Sequence, residues 1–307
     1  MRNREPSPTL KTPATIATAT PRQAYGYLAV IIATWAGNWP MMRLALAHTE
    51  PMVFVSLRMA GSIAILAPIL AALSCPLLPV RRERLALFWV GQLQVTGFLV
   101  FSIIGLAIVP PGRAIVLAYT MPLWAIPIGL GLSREVLPFG KVAGVTIGFA
   151  GLVLFMNPAL IDWTDSRAVA GNLLLLLAAI CWAAGSCLYQ RHPWQSNFWA
   201  QTFWQLAVGA VTIIALAVVL EPDWSVDWSP GFVAILVYNW VVTTALGYFL
   251  WNKVLAMMSP VMAGQVLTLT PISGFLLSTM IFGGAVTVDV VASILLIAIG
   301  LVLTLRR

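Results

Sequence analysis

Apolar runs of about 20 residues follow one another along almost the whole chain of 307 residues, separated by short polar or proline-containing breaks. A run of this length is what an α-helix needs to cross the hydrocarbon core of a bilayer, which is about 30 Å thick. Because lipid offers no hydrogen bonds to the backbone, an isolated spanning segment of this kind must be helical. The pattern predicts an all-α membrane protein with ten transmembrane helices, at residues 25–46, 52–74, 86–108, 112–132, 138–158, 169–190, 198–220, 230–254, 260–282 and 286–305.

The composition excludes an ordinary water-soluble domain. Hydrophobic residues make up 60% of the sequence and charged residues 9%, whereas about 25% of a soluble domain is charged. The net charge of +7 does not indicate a nucleic-acid partner, because the basic residues lie between the apolar runs rather than in one cluster. Residues 1–24 are rich in Pro, Thr and Arg and lack the apolar core of a signal peptide, so we expect a disordered cytoplasmic tail.

No catalytic, metal or cofactor site is predicted. Cys75, Cys181 and Cys187 form no CxxC pair, and we expect small packing residues. His48 and His192 lie in loops, and no Asp or Glu lies deep in any predicted span. An intramembrane enzyme would need such a group. The missing carboxylate also argues against the proton relay of small multidrug antiporters, so we expect facilitated diffusion or a less obvious form of coupling.

The distribution of Lys and Arg predicts the orientation. With the N-terminus inside, Arg43, Arg113 and Arg167 lie outside and Arg58 lies within a span. The other thirteen basic residues lie inside: Arg2, Arg4, Lys11, Arg22, Arg81, Arg82, Arg84, Arg134, Lys141, Arg191, Lys253, Arg306 and Arg307. The bias predicts a multi-pass protein of a bacterial inner membrane with both termini in the cytoplasm.

An internal repeat is visible at a shift of 149 residues. Pro111 and Pro122 are eleven residues apart, and Pro260 and Pro271 repeat that spacing. At a shift of 147, the residues around Trp35 (Thr-Trp-Ala-Gly) resemble those around Trp182 (Cys-Trp-Ala-Ala). Five helices per half is an odd number, so equivalent helices cross in opposite directions. Inverted repeats of this kind place a central substrate cavity near the midplane between the halves.

The segment Thr244–Lys253 (TALGYFLWNK), followed by Ser259-Pro260 and the segment of Pro271, resembles the EamA domain of the drug/metabolite transporter superfamily. Residues 113–135 resemble it in the first half, and the resemblance covers residues 25–305. It implies two inverted EamA-like repeats, at residues 25–158 and 169–305, around a central cavity with alternating access.

Within that superfamily the sequence resembles the YddG-type exporters of aromatic amino acids. One departure concerns Glu135, which closes its helix in the first half, because Gly284 stands at the equivalent position of the second half. The glutamate's role is therefore not symmetric in this chain.

Polar and aromatic side chains inside predicted spans are the candidates for substrate binding, since burying them against lipid is costly. Trp35, Asn38 and Trp39 share one face of the first helix at spacings of three and four. They line a site, or they pack the helix with the amide bonded to a neighbouring backbone. The further candidates are Gln92, Thr96, Tyr119, Trp182, Gln205, Asn239, Thr243, Tyr248 and Gln265. Each of the neutral polar ones alternatively makes a bond between helices.

Arg58 and three prolines complete the candidate set. Arg58 either pairs with a substrate carboxylate or extends its guanidinium to the outer interface. Pro40, Pro122 and Pro271 lack the backbone N–H and should kink or hinge their helices.

The leading hypothesis is export of aromatic and other neutral amino acids and related small metabolites by a monomer in the lipid bilayer. An indole-rich cavity would also suit efflux of drugs or cationic dyes through cation–π contacts. Exchange of sugar phosphates or nucleotide sugars would favour several Lys or Arg residues in the cavity, where the sequence offers only Arg58.

Overall fold

The computed structural model of the protein describes residues 21–74, 78–133, 138–156, 164–282 and 287–305. Within these ranges the chain is helical and contains no strand beyond an isolated bridge between Thr49 and Val226. Glu135, Gly284 and Cys75, and the predicted tail up to residue 20, lie outside the described residues. The tail was predicted to extend to residue 24, but residues 21–24 are already helical, because proline is well suited to the first position of a helix.

Fifteen α-helices are described in these ranges, and two of them are joined to the helix that follows by π-helical turns. The α-helices are α1 Pro21–Ala36, α2 Asn38–Ala45, α3 Pro51–Ala72, α4 Arg84–Val90, α5 Phe98–Ile108, α6 Pro111–Ala118, α7 Met121–Ser133, α8 Phe139–Met156, α9 Ser166–Arg191, α10 Phe198–Leu220, α11 Pro230–Tyr238, α12 Gly247–Leu255, α13 Pro260–Leu267, α14 Leu269–Phe282 and α15 Val288–Leu305. The π-helical segments are Gly91–Gly97, between α4 and α5, and Asn239–Leu246, between α11 and α12.

Six helices in the described part of the chain are long and apolar enough to cross a bilayer. They are Pro51–Ala72, Arg81–Ile108, Arg113–Gly131, Ser166–Arg191, Phe198–Leu220 and Pro230–Leu255. Helices Phe139–Phe155 and Val288–Thr304 are apolar but shorter, and the predicted spans 25–46 and 260–282 are each interrupted. Large apolar side chains such as Val219 and Val211 are exposed on the outside, which suits lipid rather than water. The number of ten spans stays a prediction.

Each predicted hinge proline follows an interruption of its helix. α1 ends four residues before Pro40, α6 four residues before Pro122, and α13 four residues before Pro271. A proline has no N–H to donate to the carbonyl four residues earlier, and its ring clashes with that carbonyl. In these three cases the helix ends at the residue whose carbonyl loses its partner, and a new helix begins within three residues; Pro68 and Pro127, in contrast, lie inside α3 and α7.

Helices α8 and α15 approach each other at glycines. A Cβ atom built on Gly300 would lie 2.4 Å from the backbone nitrogen of Gly148 and 2.5 Å from the carbonyl oxygen of Gly144. No side chain fits at that distance, so glycine is what lets the two backbones pack together.

The pair formed by α3 and α10 is tied at both ends by a carboxylate. Glu83 lies in the connection that follows α3, is 1% exposed and accepts hydrogen bonds from the backbone of Gln195 and Ser196, just before α10. At the opposite end Glu221, directly after α10, accepts from Met52 N at 2.8 Å and from Val53 N in the first turn of α3. Glu221 satisfies amides that the start of α3 leaves free, whereas Glu83 satisfies amides of the connection that precedes the N-cap of α10, Asn197.

The end that carries Glu221 has a second link between the same connections. His48 Nδ1 lies 2.8 Å from Asp227 Oδ2, and Thr49 Oγ1 donates to the carbonyl oxygen of Ser225 at 2.9 Å. The backbone N–H of Asp227 also donates to the carbonyl of His48. The connection between α2 and α3 is therefore joined to the connection between α10 and α11.

Candidate functional site

A small cavity lies among α1, α2, α3, α5, α9, α12 and the break that follows α6. Its lining residues are Trp35, Asn38, Trp39, Met42, Arg58, Phe98, Leu99, Ser102, Tyr119, Trp182 and Tyr248. The cavity volume is about 30 Å³, enough for two or three water molecules at ~10–15 Å³ each. An amino acid would fit only after the surrounding helices move apart, so the structure is a closed state of this cavity.

Aromatic rings form most of the cavity wall. The rings of Trp35 and Trp182 meet edge to face, with centroids 5.4 Å apart. Trp182 also contacts Tyr248 at 5.6 Å and Phe98 at 4.7 Å between ring centroids. Such pairs contribute about 0.5–1.5 kcal/mol each beyond the burial of their area. The wall is therefore apolar and well packed, with side chains from both halves of the chain.

Both π-helical segments border the cavity and bind its aromatic residues through backbone carbonyls. Trp35 Nε1 donates to the carbonyl oxygen of Thr243 at 3.0 Å, and the Tyr248 hydroxyl donates to the carbonyl oxygen of Gln94 at 3.0 Å. Each donor comes from the half of the chain opposite to its acceptor. Gln94 and Thr243 are 149 residues apart, which is the shift of the sequence repeat. π-helical turns are frequent at functional sites, and here they anchor the two aromatic side chains.

Arg58 is the charged residue of the lining. It is 3% exposed, so the guanidinium does not extend to an interface. Its Nε donates to Thr244 Oγ1 at 2.7 Å, and Nη1 lies 3.6 Å from the sulfur of Met42. Among the residues that the structure describes, no carboxylate forms an ion pair with Arg58.

Three further polar atoms of the lining lack a hydrogen-bond partner within the described residues. They are Asn38 Oδ1, Ser102 Oγ and Trp182 Nε1. Buried polar atoms are normally bonded, and each unpaired one costs about 1–3 kcal/mol. An acceptor, a hydroxyl and an indole N–H are thus free in the cavity that Arg58 also lines, as a site for a polar ligand requires.

A layer of buried amides closes the cavity toward the end of the bundle that carries Glu83. The Gln94 amide contacts the amide of Gln205 and the hydroxyl of Ser186, each at 2.6 Å. Asn252 Nδ2 donates to Gln205 Oε1 at 3.0 Å. Ser186 and Asn252 each lie one helical turn beyond a lining residue of the same helix. Opening the cavity on this side requires these bonds to exchange for bonds to water.

Seven of the thirteen predicted binding residues line this cavity: Trp35, Asn38, Trp39, Arg58, Tyr119, Trp182 and Tyr248. The other six, Gln92, Thr96, Gln205, Asn239, Thr243 and Gln265, do not line it. Most of the six bond to a neighbouring helix or to their own.

The contacts of the six explain where they lie. Gln92 donates to Thr212 Oγ1 at 2.8 Å, and Thr96 donates to the carbonyl of Gly209. Asn239 donates to a carbonyl one turn earlier in its own helix, and Thr243 bonds back to Asn239. Gln265 lines a separate cavity of about 10 Å³ beside Tyr119. A polar side chain inside a span has two solutions, a cavity or an interhelical bond, and only the neighbouring helices decide between them.

Sequence reasoning missed four lining residues, namely Met42, Phe98, Leu99 and Ser102. Met42 was detectable, because it lies four residues after Asn38 on the same helical face. Phe98, Leu99 and Ser102 lie in a continuous apolar run without such a marker. Among the described residues, no group of three or more His, Cys, Asp or Glu side chains is arranged to hold a metal ion.

Comparison with known proteins gives one family and several full-length relatives. Residues 24–157 and 169–306 each match the EamA-like transporter family. The uncharacterized transporter YoaV of Bacillus subtilis is 22% identical over 87% of this chain and 91% of its own length. A protein described as a probable amino-acid metabolite efflux pump, from Salmonella typhimurium, is 21% identical over 90% of this chain and 93% of its own. A crystal structure with 18% identity superposes with a TM-score of 0.77 over 93% of this chain and 97% of its own, so the two share a fold.

Proposed function

This chain belongs to the EamA-like transporter family, a family of membrane transporters, and from that premise we propose that it exports amino acids. The substrates are aromatic and other neutral amino acids and related small metabolites, which cross a bacterial inner membrane by alternating access. The chain acts as a monomer with both termini in the cytoplasm. Ten helices form two inverted five-helix repeats, and the cavity between them alternates between the two sides.

One observation carries the proposal: a closed cavity, walled by indole and phenol rings, contains unpaired polar atoms at the meeting point of the two halves. Aromatic walls bind the apolar side chain of an amino acid, and the polar atoms bind its charged groups. The relative described as an amino-acid metabolite efflux pump supports the same substrate class.

Three equivalences support the inverted repeat. The π-helical segments begin at Gly91 and Asn239, 148 residues apart. The proline breaks that end α6 at Ala118 and α13 at Leu267 are 149 residues apart. The indoles that the repeat aligns, Trp35 and Trp182, meet at the cavity. A shared pattern of helix irregularities is expected of two copies of one fold, because π turns and breaks depend on local sequence.

A lining without a carboxylate favours facilitated diffusion over proton-driven transport. None of the eleven lining residues is acidic, so a carboxylate that binds a proton and a substrate in alternation is missing from the lining. Arg58 also disfavours the efflux of cationic dyes, since a buried cation repels another cation in a medium of low polarity. A single guanidinium is also a poor match for the several negative charges of a nucleotide sugar.

Counterflow in liposomes tests the proposal. Vesicles loaded with unlabelled phenylalanine should accumulate labelled phenylalanine without an imposed pH gradient. The variants Trp35→Ala and Trp182→Ala should slow counterflow at least about tenfold, because each removes a wall of the cavity. Trp89→Ala is the matched control, since this indole is 51% exposed on the outside of α4. No counterflow of any amino acid, or a strict need for a pH gradient, would contradict the proposal.

A further inference from the structure

The guanidinium of Arg58 is placed as a binding group rather than as part of an internal ion pair. Arg58 lies two helical turns into α3 and is almost fully buried. Among the described residues its side chain donates to the hydroxyl of Thr244 and to the thioether of Met42. A buried charge that lacks a counter-ion costs several kcal/mol, and in the described part of the chain no carboxylate offsets that cost. An anion bound in the cavity would offset it.

The free acceptors line the same cavity as this cation. Asn38 Nδ2 donates to the sulfur of Met42 at 3.1 Å, and the same sulfur lies 3.6 Å from Arg58 Nη1. The carbonyl oxygen of the Asn38 amide and the hydroxyl of Ser102 have no partner. The cavity thus presents a cationic donor and two neutral acceptors together, which is the complement of a carboxylate and an ammonium group on one carbon atom.

We propose that Arg58 is the residue that selects the substrate by its carboxylate, while Asn38 and Ser102 accept the hydrogen bonds of the α-ammonium group. This inference rests on the proposed transport of amino acids and defines its chemical requirement. Molecules with an aromatic or other apolar group and a carboxylate bind, and amines that lack a carboxylate do not. The faces of the aromatic rings attract cations and give a carboxylate no advantage over an amine, so a preference for acids must come from Arg58.

A carboxylate suits the cavity better than a phosphate ester. One guanidinium balances one negative charge, whereas a phosphate monoester carries nearly two at neutral pH. The remaining groups of the lining are neutral, and most are apolar. The second charge of a phosphate would be buried without a partner, at a cost of the same kind that Arg58 now carries.

Binding to the purified protein in detergent tests this inference separately from transport. The probes are 3-phenylpropionate, phenylalanine, phenethylamine and phenyl phosphate, and the signals are indole fluorescence and the thermal unfolding temperature. Wild-type protein should bind the two carboxylates at least about tenfold more tightly than phenethylamine or phenyl phosphate. Arg58→Gln should lose at least about tenfold for 3-phenylpropionate and should not lose affinity for phenethylamine.

Two further variants keep the test decisive. Arg58→Lys retains the charge but loses the paired N–H donors, so its affinity for 3-phenylpropionate should lie between those of wild type and Arg58→Gln. Arg167→Gln removes an arginine that is exposed at the start of α9 and should bind every probe as wild type does. If Arg58→Gln does not fold, the affinities of wild type and Arg58→Lys for the four probes decide whether Arg58 selects the carboxylate.

The possible failures are distinguishable. Equal affinity for 3-phenylpropionate and phenethylamine, or wild-type affinity of Arg58→Gln for 3-phenylpropionate, overturns the role of Arg58 and leaves amino-acid transport standing. Binding of none of the four probes overturns the role as well. If carboxylate binding depends on Arg58 but liposomes show no counterflow, the inference about Arg58 is supported and the proposed function is contradicted.

Discussion

The indoles of Trp35 and Trp182 stand 147 residues apart in the sequence and meet edge to face, with ring centroids 5.4 Å apart. Trp35 lies in the last turn of α1 in the first half of the chain, and Trp182 lies inside α9 in the second. An approach between residues so far apart depends on the packing of both halves, so this contact reports whether the closed cavity is intact.

We expect Trp35 and Trp182 to be energetically coupled. In a double-mutant cycle with Trp35→Leu and Trp182→Leu, the loss of unfolding free energy should deviate from additivity by about 0.5–1.5 kcal/mol, the usual contribution of an aromatic pair. Reversible unfolding in mixed micelles measures it. The cycle of Trp35→Leu with the exposed Trp89→Leu is the control and should be additive. Additivity of both cycles would show that the two cavity indoles do not interact.

The close approach of α8 and α15 predicts opposite outcomes for two glycines. Gly300→Ala should destabilise the protein by about 1–3 kcal/mol, because the new methyl group meets the backbone of Gly148, which has no soft side chain to yield. Gly140→Ala should be neutral or slightly stabilising, since nothing lies within 4 Å of a Cβ at that position. Thermal unfolding of both variants measures this. A tolerated alanine at Gly300 would mean that the two helices are further apart.

Glu221 should make stability depend on pH. Partial burial raises the pKa of its carboxyl above the ordinary value, and the charge of Glu50 adds to the effect, while the amides of Val53 and Met52 oppose it. A raised folded-state pKa means that the native protein binds the proton more tightly than the unfolded chain. The stability gained from that proton is complete below the unfolded pKa and is lost as pH rises through the folded one.

The difference in unfolding temperature between wild type and Glu221→Gln measures this contribution. It should favour wild type most at low pH and decline as pH rises above the ordinary pKa of a glutamate carboxyl. Subtracting the glutamine variant removes the pH effects that the two proteins share. A difference that grows with pH would mean that the ionised carboxylate stabilises the start of α3 more than its burial costs.

The proposed topology predicts that two exposed loop residues lie on opposite sides of the membrane. In a background without the three native cysteines, Ser225→Cys should react with an impermeant thiol reagent added to whole cells from the periplasmic side. Gln195→Cys, in the connection between α9 and α10, should react only after the inner membrane is permeabilised. Labelling of both from the same side would exclude the inverted arrangement of the helices around α10.

Much of the architecture was predictable because it depends on local chemistry. The helical membrane class follows from apolar runs whose backbone must bond to itself in lipid, and the family match confirms the resemblance that rested on residues 244–253 and the proline spacing. The interruptions at Pro40, Pro122 and Pro271 agree with the donor that each proline lacks, although Pro68 and Pro127 lack the same donor inside continuous helices. Trp35, Asn38 and Trp39 were placed on one face by helical periodicity alone.

The remaining features depend on which helix packs against which. The sequence by itself determined that this chain is a helical membrane protein. It also determined where several helices break and that the spans carry many indoles and amides. These features follow from the composition and order of neighbouring residues. Only the tertiary structure decided that Arg58 is buried against Thr244. It also decided that Gln92 and Thr96 bond to α10 instead of lining the cavity. Finally, it placed Glu83 near the start of α10 and Glu221 against the start of α3. Each of these outcomes depends on a partner more than 100 residues away, and local sequence carries no information about which distant group will satisfy a buried charge or amide.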